Sequence, residues 1–212
     1  MKKALPALAA AILIAFNLSL PDWYESTLVL PHRAEEAAML DLLGESRTVL
    51  ARALWFKMDL FHEVLDDEGV DFAKQTEVLP LLRLVSLLDP SFVDAFDTIA
   101  WDLWKGHKQP EKALEIVEEG LGQNPGNVQL LVRKAMICIS LERYEEAAEA
   151  SRQALDRAGN DFDVLDAARV AWRSYKELGD QDSQRLVIQR ALKVRPGDEL
   201  WLRRQHELYS GA

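Results

Sequence analysis

The sequence has little of what several fold and function classes require. Its 212 residues include one cysteine, Cys138, which excludes an internal disulfide framework and a thiolate zinc cluster. Glycine (10) and proline (8) are scarce, and a turn-rich all-β fold needs more of both. Basic residues are outnumbered, with 25 Lys+Arg against 35 Asp+Glu and a net charge of -10. That balance argues against general nucleic-acid binding, which takes a basic face to neutralise phosphates.

Chemistry-bearing motifs are missing as well. The four histidines, His32, His62, His107 and His206, lie far apart, and no pair has the i,i+4 spacing of a helical metal site. His62–Glu63 with Asp66 lacks the second histidine of a zinc helix. The acidic run at 66–71, DDEGVD, lacks the alternating ligand spacing of a calcium loop. No glycine-rich phosphate loop and no nucleophile elbow occurs. Cys138 sits in the apolar stretch AMICIS and reads as a small core residue rather than a reactive thiol. Neither catalysis nor a metal or cofactor is expected.

What is present suits a folded chain: 49% apolar and 28% charged residues, too apolar for disorder. Lys2 and Lys3 precede an apolar run at 4–21, broken only by Asn17 and Ser19. As a helix it would reach roughly 27 Å at about 1.5 Å per residue, just enough to span a bilayer core. The lysines would stay cytoplasmic, and Trp23 and Tyr24 would sit at the interface. This predicts a signal-anchor, a transmembrane helix that leaves the rest extracytoplasmic, periplasmic or equivalent. The rival is a cleaved signal peptide and a secreted chain, although the best cut, after Ser19, has Asn17 in place of a small residue. No cysteine follows the run to carry a lipid.

From Ala34 onward apolar residues recur at three and four, the helical period, without sustained alternation. Pro90, Pro125 and Pro196, with Gly159 between the last two, divide the chain at intervals of 35, 34 and 37 residues. Each interval holds two amphipathic stretches. Small residues repeat in register: Ala113, Gly120, Pro125; then Ala147, Ala154, Gly159; then Gln184, Ala191, Pro196. Ala100 and Ala135 stand at the matching place on the first helices, while Tyr144 and Gly179 fall at turns. Small residues seven apart allow close helix approach, and the Pro or Gly ends the helix.

This pattern over about 91–196 resembles the tetratricopeptide repeat family, most closely in ERYEEAAEASRQAL of the second unit. Trp172 and Gln184 depart from the small residues expected. One surplus residue falls near Lys108–Pro110 and three near Asn160–Asp163. The resemblance implies an all-α, right-handed superhelical stack of antiparallel helix pairs, here with an N-terminal membrane helix. The expected organisation is an anchor or signal at 1–21 and a linker with a short helix at 22–45. A divergent helix pair at 46–90 follows, then units at 91–125, 126–159 and 160–196. Residues 197–212 close the stack as a capping helix with a polar outer face.

In such a stack the first helices build the concave binding surface. The register places Asp94, Asp97, Trp101 and Trp104 there from the first unit, then Gln129, Val132, Met136 and Ile139, then Asp166, Arg169, Arg173 and Lys176. The order runs from acidic and aromatic through apolar to basic. A protein or peptide with an apolar centre, a basic group toward the first unit and an acidic group toward the third would fit. The bland alternatives are that the tryptophans pack on the 46–66 helix, that residues 34–43 cover the apolar middle, and that the basic row is a solvated face. The leading expectation is a non-enzymatic, membrane-tethered scaffold binding partners of a cell-envelope complex. The alternative is a structural subunit of a membrane or surface assembly, packing through its convex face and residues 22–90. That segment holds 6 basic and 14 acidic residues, against 17 and 21 in 91–212.

Overall fold

The computed structural model of the chain describes residues 43, 44, 46–67 and 78–210. Among these it is all-α, with no strand: α1 (Ser46–Asp67), α2 (Val78–Leu88), α3 (Val93–Trp101), α4 (Pro110–Gln123), α5 (Val128–Ser140), α6 (Tyr144–Arg157), α7 (Asp161–Glu177), α8 (Gln181–Val194) and α9 (Glu199–Ser210). Each helix packs on the next in chain order, and α3 also packs on α5, and α5 on α7. The first helices of successive pairs therefore form one row, with α4, α6 and α8 behind it.

Local chemistry sets the helix starts. Asn127, Asn160 and Asp180 each accept a hydrogen bond from the backbone N–H three residues on, at 3.1, 2.9 and 3.0 Å, satisfying a donor that has no partner inside the helix. Pro110 opens α4, where its missing N–H costs nothing. The turns inside the pairs take a left-handed residue: Lys108, Glu142 and Gly179, with φ of 57°, 59° and 71°. Only the last uses glycine, the residue that adopts this conformation without strain.

The surplus residues find definite places. In the first unit the surplus is absorbed at the end of α3, which continues as a π-helical turn over Asp102–Gly106, closed by His107 N–H donating to Asp102 O at 2.9 Å. Before the third unit, the extra residues lengthen α7 at its start and leave Phe162 74% exposed.

The main core runs through all the pairs. Ala100, Ala113, Ala135, Ala147, Ala154, Ala171 and Ala191 are fully buried. At Gly120 an added Cβ would lie 2.9 Å from Phe96 and 3.1 Å from Leu130, so α3, α4 and α5 meet where a side chain is missing. Arg83 is buried on α2 and ion-paired to Glu119 of α4 at 2.8 Å. Asn124 donates to Pro90 O at 2.8 Å, one repeat period away.

The membrane expectations are corrected. Among the described residues no helix is long and apolar enough to cross a membrane. The longest, α1, has 22 residues, but Arg47, Arg52, Lys57, Asp59, Glu63, Asp66 and Asp67 interrupt it, and each charge at bilayer depth costs kilocalories. The run at 4–21, like Ala34–Leu42, lies outside the described residues. Anchor, signal-anchor, membrane partner, extracytoplasmic or secreted location and envelope complex are left without support, and only the helical repeat stack is retained.

Gly120→Ala is expected to destabilise the chain by about 1–3 kcal/mol, because the new methyl overpacks the junction. Gly122→Ala, in the same helix with nothing within 4 Å, should stabilise it by about 0.5–1 kcal/mol. Urea unfolding midpoints of the two variants would check this pair. Burial first, and Glu146 second, push the Cys138 thiol up to about 11. Because the thiolate is the reactive form, alkylation at pH 8 should run at least about 100-fold slower in the folded chain than in urea.

Candidate functional site

The exposed side of the α3–α5–α7 row is where the sequence places its binding residues, and the structure joins several of them. Asp94 and Asp97 lie one turn apart on α3. Gln129 of α5 donates its side-chain amide to both, at 3.2 and 3.1 Å. Arg133, one turn further along α5, makes two hydrogen bonds to Asp97, at 2.7 and 2.9 Å. The side chains of this pair are only 16% and 13% exposed, so the bidentate contact is largely shielded from water and stronger than a surface ion pair.

Trp101 extends this cluster outward. It is 43% exposed, with the Arg133 guanidinium 4.6 Å from its ring centre and Trp104 edge-on at 5.7 Å. Trp104 differs: it is buried, under the Lys105 ammonium at 3.5 Å. Val132 is buried too. These two are withdrawn from the candidate surface, because each belongs to the main core. Met136 and Ile139 are half-buried and pack against that core, leaving the middle of the row apolar.

The third first helix carries charge. Asp166 lies 3.8 Å from Arg169. Burial pushes its carboxyl above the usual range, although Arg169 and Arg133 pull the other way. Arg173 pairs with Glu177 at 2.8 Å, and Lys176 lies 5.0 Å from the Trp172 ring centre. Arg169, Arg173 and Lys176 are exposed.

Three participants escape the sequence reading: Arg133, Trp172 and Arg204, whose guanidinium lies 3.8 Å from the Trp172 ring centre and 4.6 Å from that of Trp201. Arg133 and Asp97 are opposite charges 36 residues apart, one repeat period, which is the signal that could have paired them. Trp172 registers in sequence only as a misfit. Arg204 falls on α9, which reads as a polar closing helix, yet Trp201 there is buried while Leu202 and Tyr209 are exposed. Among the described residues no group of three or more His, Cys, Asp or Glu side chains could hold a metal.

A family model described as tetratricopeptide repeat matches residues 106–169. No curated protein matches the chain. Among solved structures, pilF of Pseudomonas aeruginosa is similar at TM-score 0.62 and 17% identity, over 78% of this chain and 70% of that one. A MamA crystal structure is similar at 0.54 and 14% identity, over 63% of this chain and 76% of the other. At such identities the likeness shows the fold and nothing about the ligand.

Asp97→Asn should lower stability by about 1–3 kcal/mol, since it leaves the Arg133 charge shielded without its partner. The double variant Asp97→Asn/Arg133→Met should recover part of that loss. A urea midpoint unchanged in the single variant would contradict the reading of this pair as an inter-repeat lock.

Proposed function

We propose that this chain, a member of the tetratricopeptide repeat family, is a non-enzymatic protein-binding module that seats a partner segment along the α3–α5–α7 row. The family typically serves as a non-catalytic interaction module, in line with the missing catalytic motifs. The observation that carries the reading is the order of accessible groups along the row. Asp94 and the Trp101 ring stand at one end, Met136 and Ile139 in the middle, and Arg169, Arg173 and Lys176 at the other.

That order favours a helix or extended segment with an apolar centre, a basic group toward α3 and an acidic group toward α7. Trp101 and the arginines are the residue types that most often dominate binding energy. Arg133 and Asp97, largely shielded, and the exposed Gln129 that donates to Asp97 hold one another's rotamers before a partner arrives and so reduce the ordering cost of binding.

One observation favours a second reading, a subunit that docks through its outer side. Phe162 and Leu186 are 74% and 66% exposed. Leu186 also lines an open cavity of about 850 Å³, together with Asp161, Val164, Gln189, Arg190, Lys193 and Val194.

Affinity capture with the full chain separates the two. Trp101→Ala combined with Arg169→Glu and Arg173→Glu should deplete the captured partners at least about tenfold, while Leu186→Glu should leave them unchanged. If the triple variant captures the same proteins in the same amounts, the row is not the binding surface. If Leu186→Glu alone abolishes capture, the outer-side reading replaces it.

A further inference from the structure

A helix that closes an open stack normally turns a polar side to water, and α9 departs from that. Trp201 is buried and Leu208 packs against the main core, while Arg204 lies over the Trp172 and Trp201 rings. These positions, spaced three and four apart, form the side of α9 that faces the stack. The opposite side is open to solvent and carries Leu202 and Tyr209, 43% and 56% exposed. Seven residues is roughly two helical turns, so these two share one flank. Arg203 and Glu207 stand exposed on the other flank, one turn apart and 3.8 Å from each other. His206, also exposed, lies between the flanks.

This side is complementary to itself when turned end for end. A two-fold axis passing between Gln205 and His206 sets two copies of α9 antiparallel and keeps each flank against the same flank of the other copy. Leu202 of one copy then stands level with Tyr209 of the second, and Arg203 falls within about 1.5 Å of the level of the second copy's Glu207, one residue of helical rise. His206 meets its own copy near the axis. Leu202 and Tyr209 therefore cover one another on one flank. On the other, each Arg203 stands between the Glu207 of its own helix and that of the second copy. A parallel two-fold pairing sets the apolar flank of one copy against the charged flank of the other and loses both matches.

We infer that the outer side of α9 is the interface of a two-fold homodimer, with α9 packed antiparallel on α9 of a second copy. One helix supplies both halves of the apolar match and both halves of the charge match, which is the property an isologous interface requires. The crossed Arg203–Glu207 pairs fix the register, and like charges meet in a shifted or parallel pairing. The α3–α5–α7 row takes no part, so the inference goes beyond the proposed row-binding function and stands without it. A single pair of 12-residue helices buries less than a standard interface. The dimer is accordingly weak, with a dissociation constant on the order of 10–100 µM.

Sedimentation equilibrium of the full chain across that concentration range is the test. The mass should rise from monomer to dimer and stop there. Leu202→Glu should weaken the dimer at least about tenfold, with its urea midpoint at the wild-type value because Leu202 makes its contact only in the dimer. Arg203→Glu and Glu207→Arg should each weaken self-association, since each sets like charges across the axis. Mixed together, these two variants should form a heterodimer tighter than either homodimer, because every Glu then meets an Arg. The double variant Arg203→Glu/Glu207→Arg should regain the wild-type affinity. A chain that stays monomeric to about 1 mM, assembly that continues past the dimer, or a dimer indifferent to Leu202→Glu would overturn the inference. So would the absence of any preference in the mixture. A monomer whose Leu202→Glu variant loses a protein that wild type captures would assign this side of α9 to a different partner, and overturn it equally.

Discussion

Close approach of helices at alanine and glycine is the constraint on which the rest depends. Fully buried alanines recur along the stack, among them Ala100, Ala113, Ala135, Ala147, Ala154 and Ala191. Gly120 shows how little room remains, since its missing side chain admits Phe96 from α3 and Leu130 from α5. Dispersion contacts fall off steeply with separation, so small residues convert adjacency into cohesion along the whole core. They also fix the spacing of the pairs. Contacts one repeat apart then recur: Asn124 to the Pro90 carbonyl, Arg83 to Glu119, Gln129 to Asp94, Arg133 to Asp97, and Arg190 to the Leu155 carbonyl. Side chains of successive units can reach one another only because the backbones stand so close.

The same geometry turns a sequence feature into a surface. Residues one helical turn apart on α3 and α5 become neighbours across the row, where Asp97 pairs with Arg133 of the next unit, while on α7 Asp166 and Arg169, and Arg173 and Glu177, pair within one helix. Asp97 and Arg133 are locked together and serve the scaffold. Asp94, Trp101, Arg169 and Arg173 remain accessible, so one row holds both the structural lock and the surface offered to a partner.

Much of the architecture was legible because small residues and helix-ending Pro or Gly recur at a fixed period. Periodicity reports which residues face one another along the chain. It does not report which of two neighbouring positions turns inward. Val132 and Arg133 illustrate this: the register put Val132 on the surface, whereas the structure buries it and gives the surface contact to Arg133. Trp104 was misplaced for a related reason. The π-helical turn at Asp102–Gly106 changes the rotation of the last residues of the helix; the repeat period showed one surplus residue in this unit but placed it in the turn that follows. Arg204 stayed hidden because its partners, Trp172 and Trp201, come from two helices that no repeat signature links. The N-terminal apolar run carried an inference about membranes that no described helix supports.

The central claim is that the first-helix row is the working surface. Amide hydrogen exchange on the full chain, with and without a display-selected peptide, tests it most directly. The account predicts slowed exchange in α3, α5 and α7 on the peptide-bound chain, with α4, α6 and α8 unchanged on their outer faces. Protection confined to α6 and α8, with the row unaffected, would contradict it.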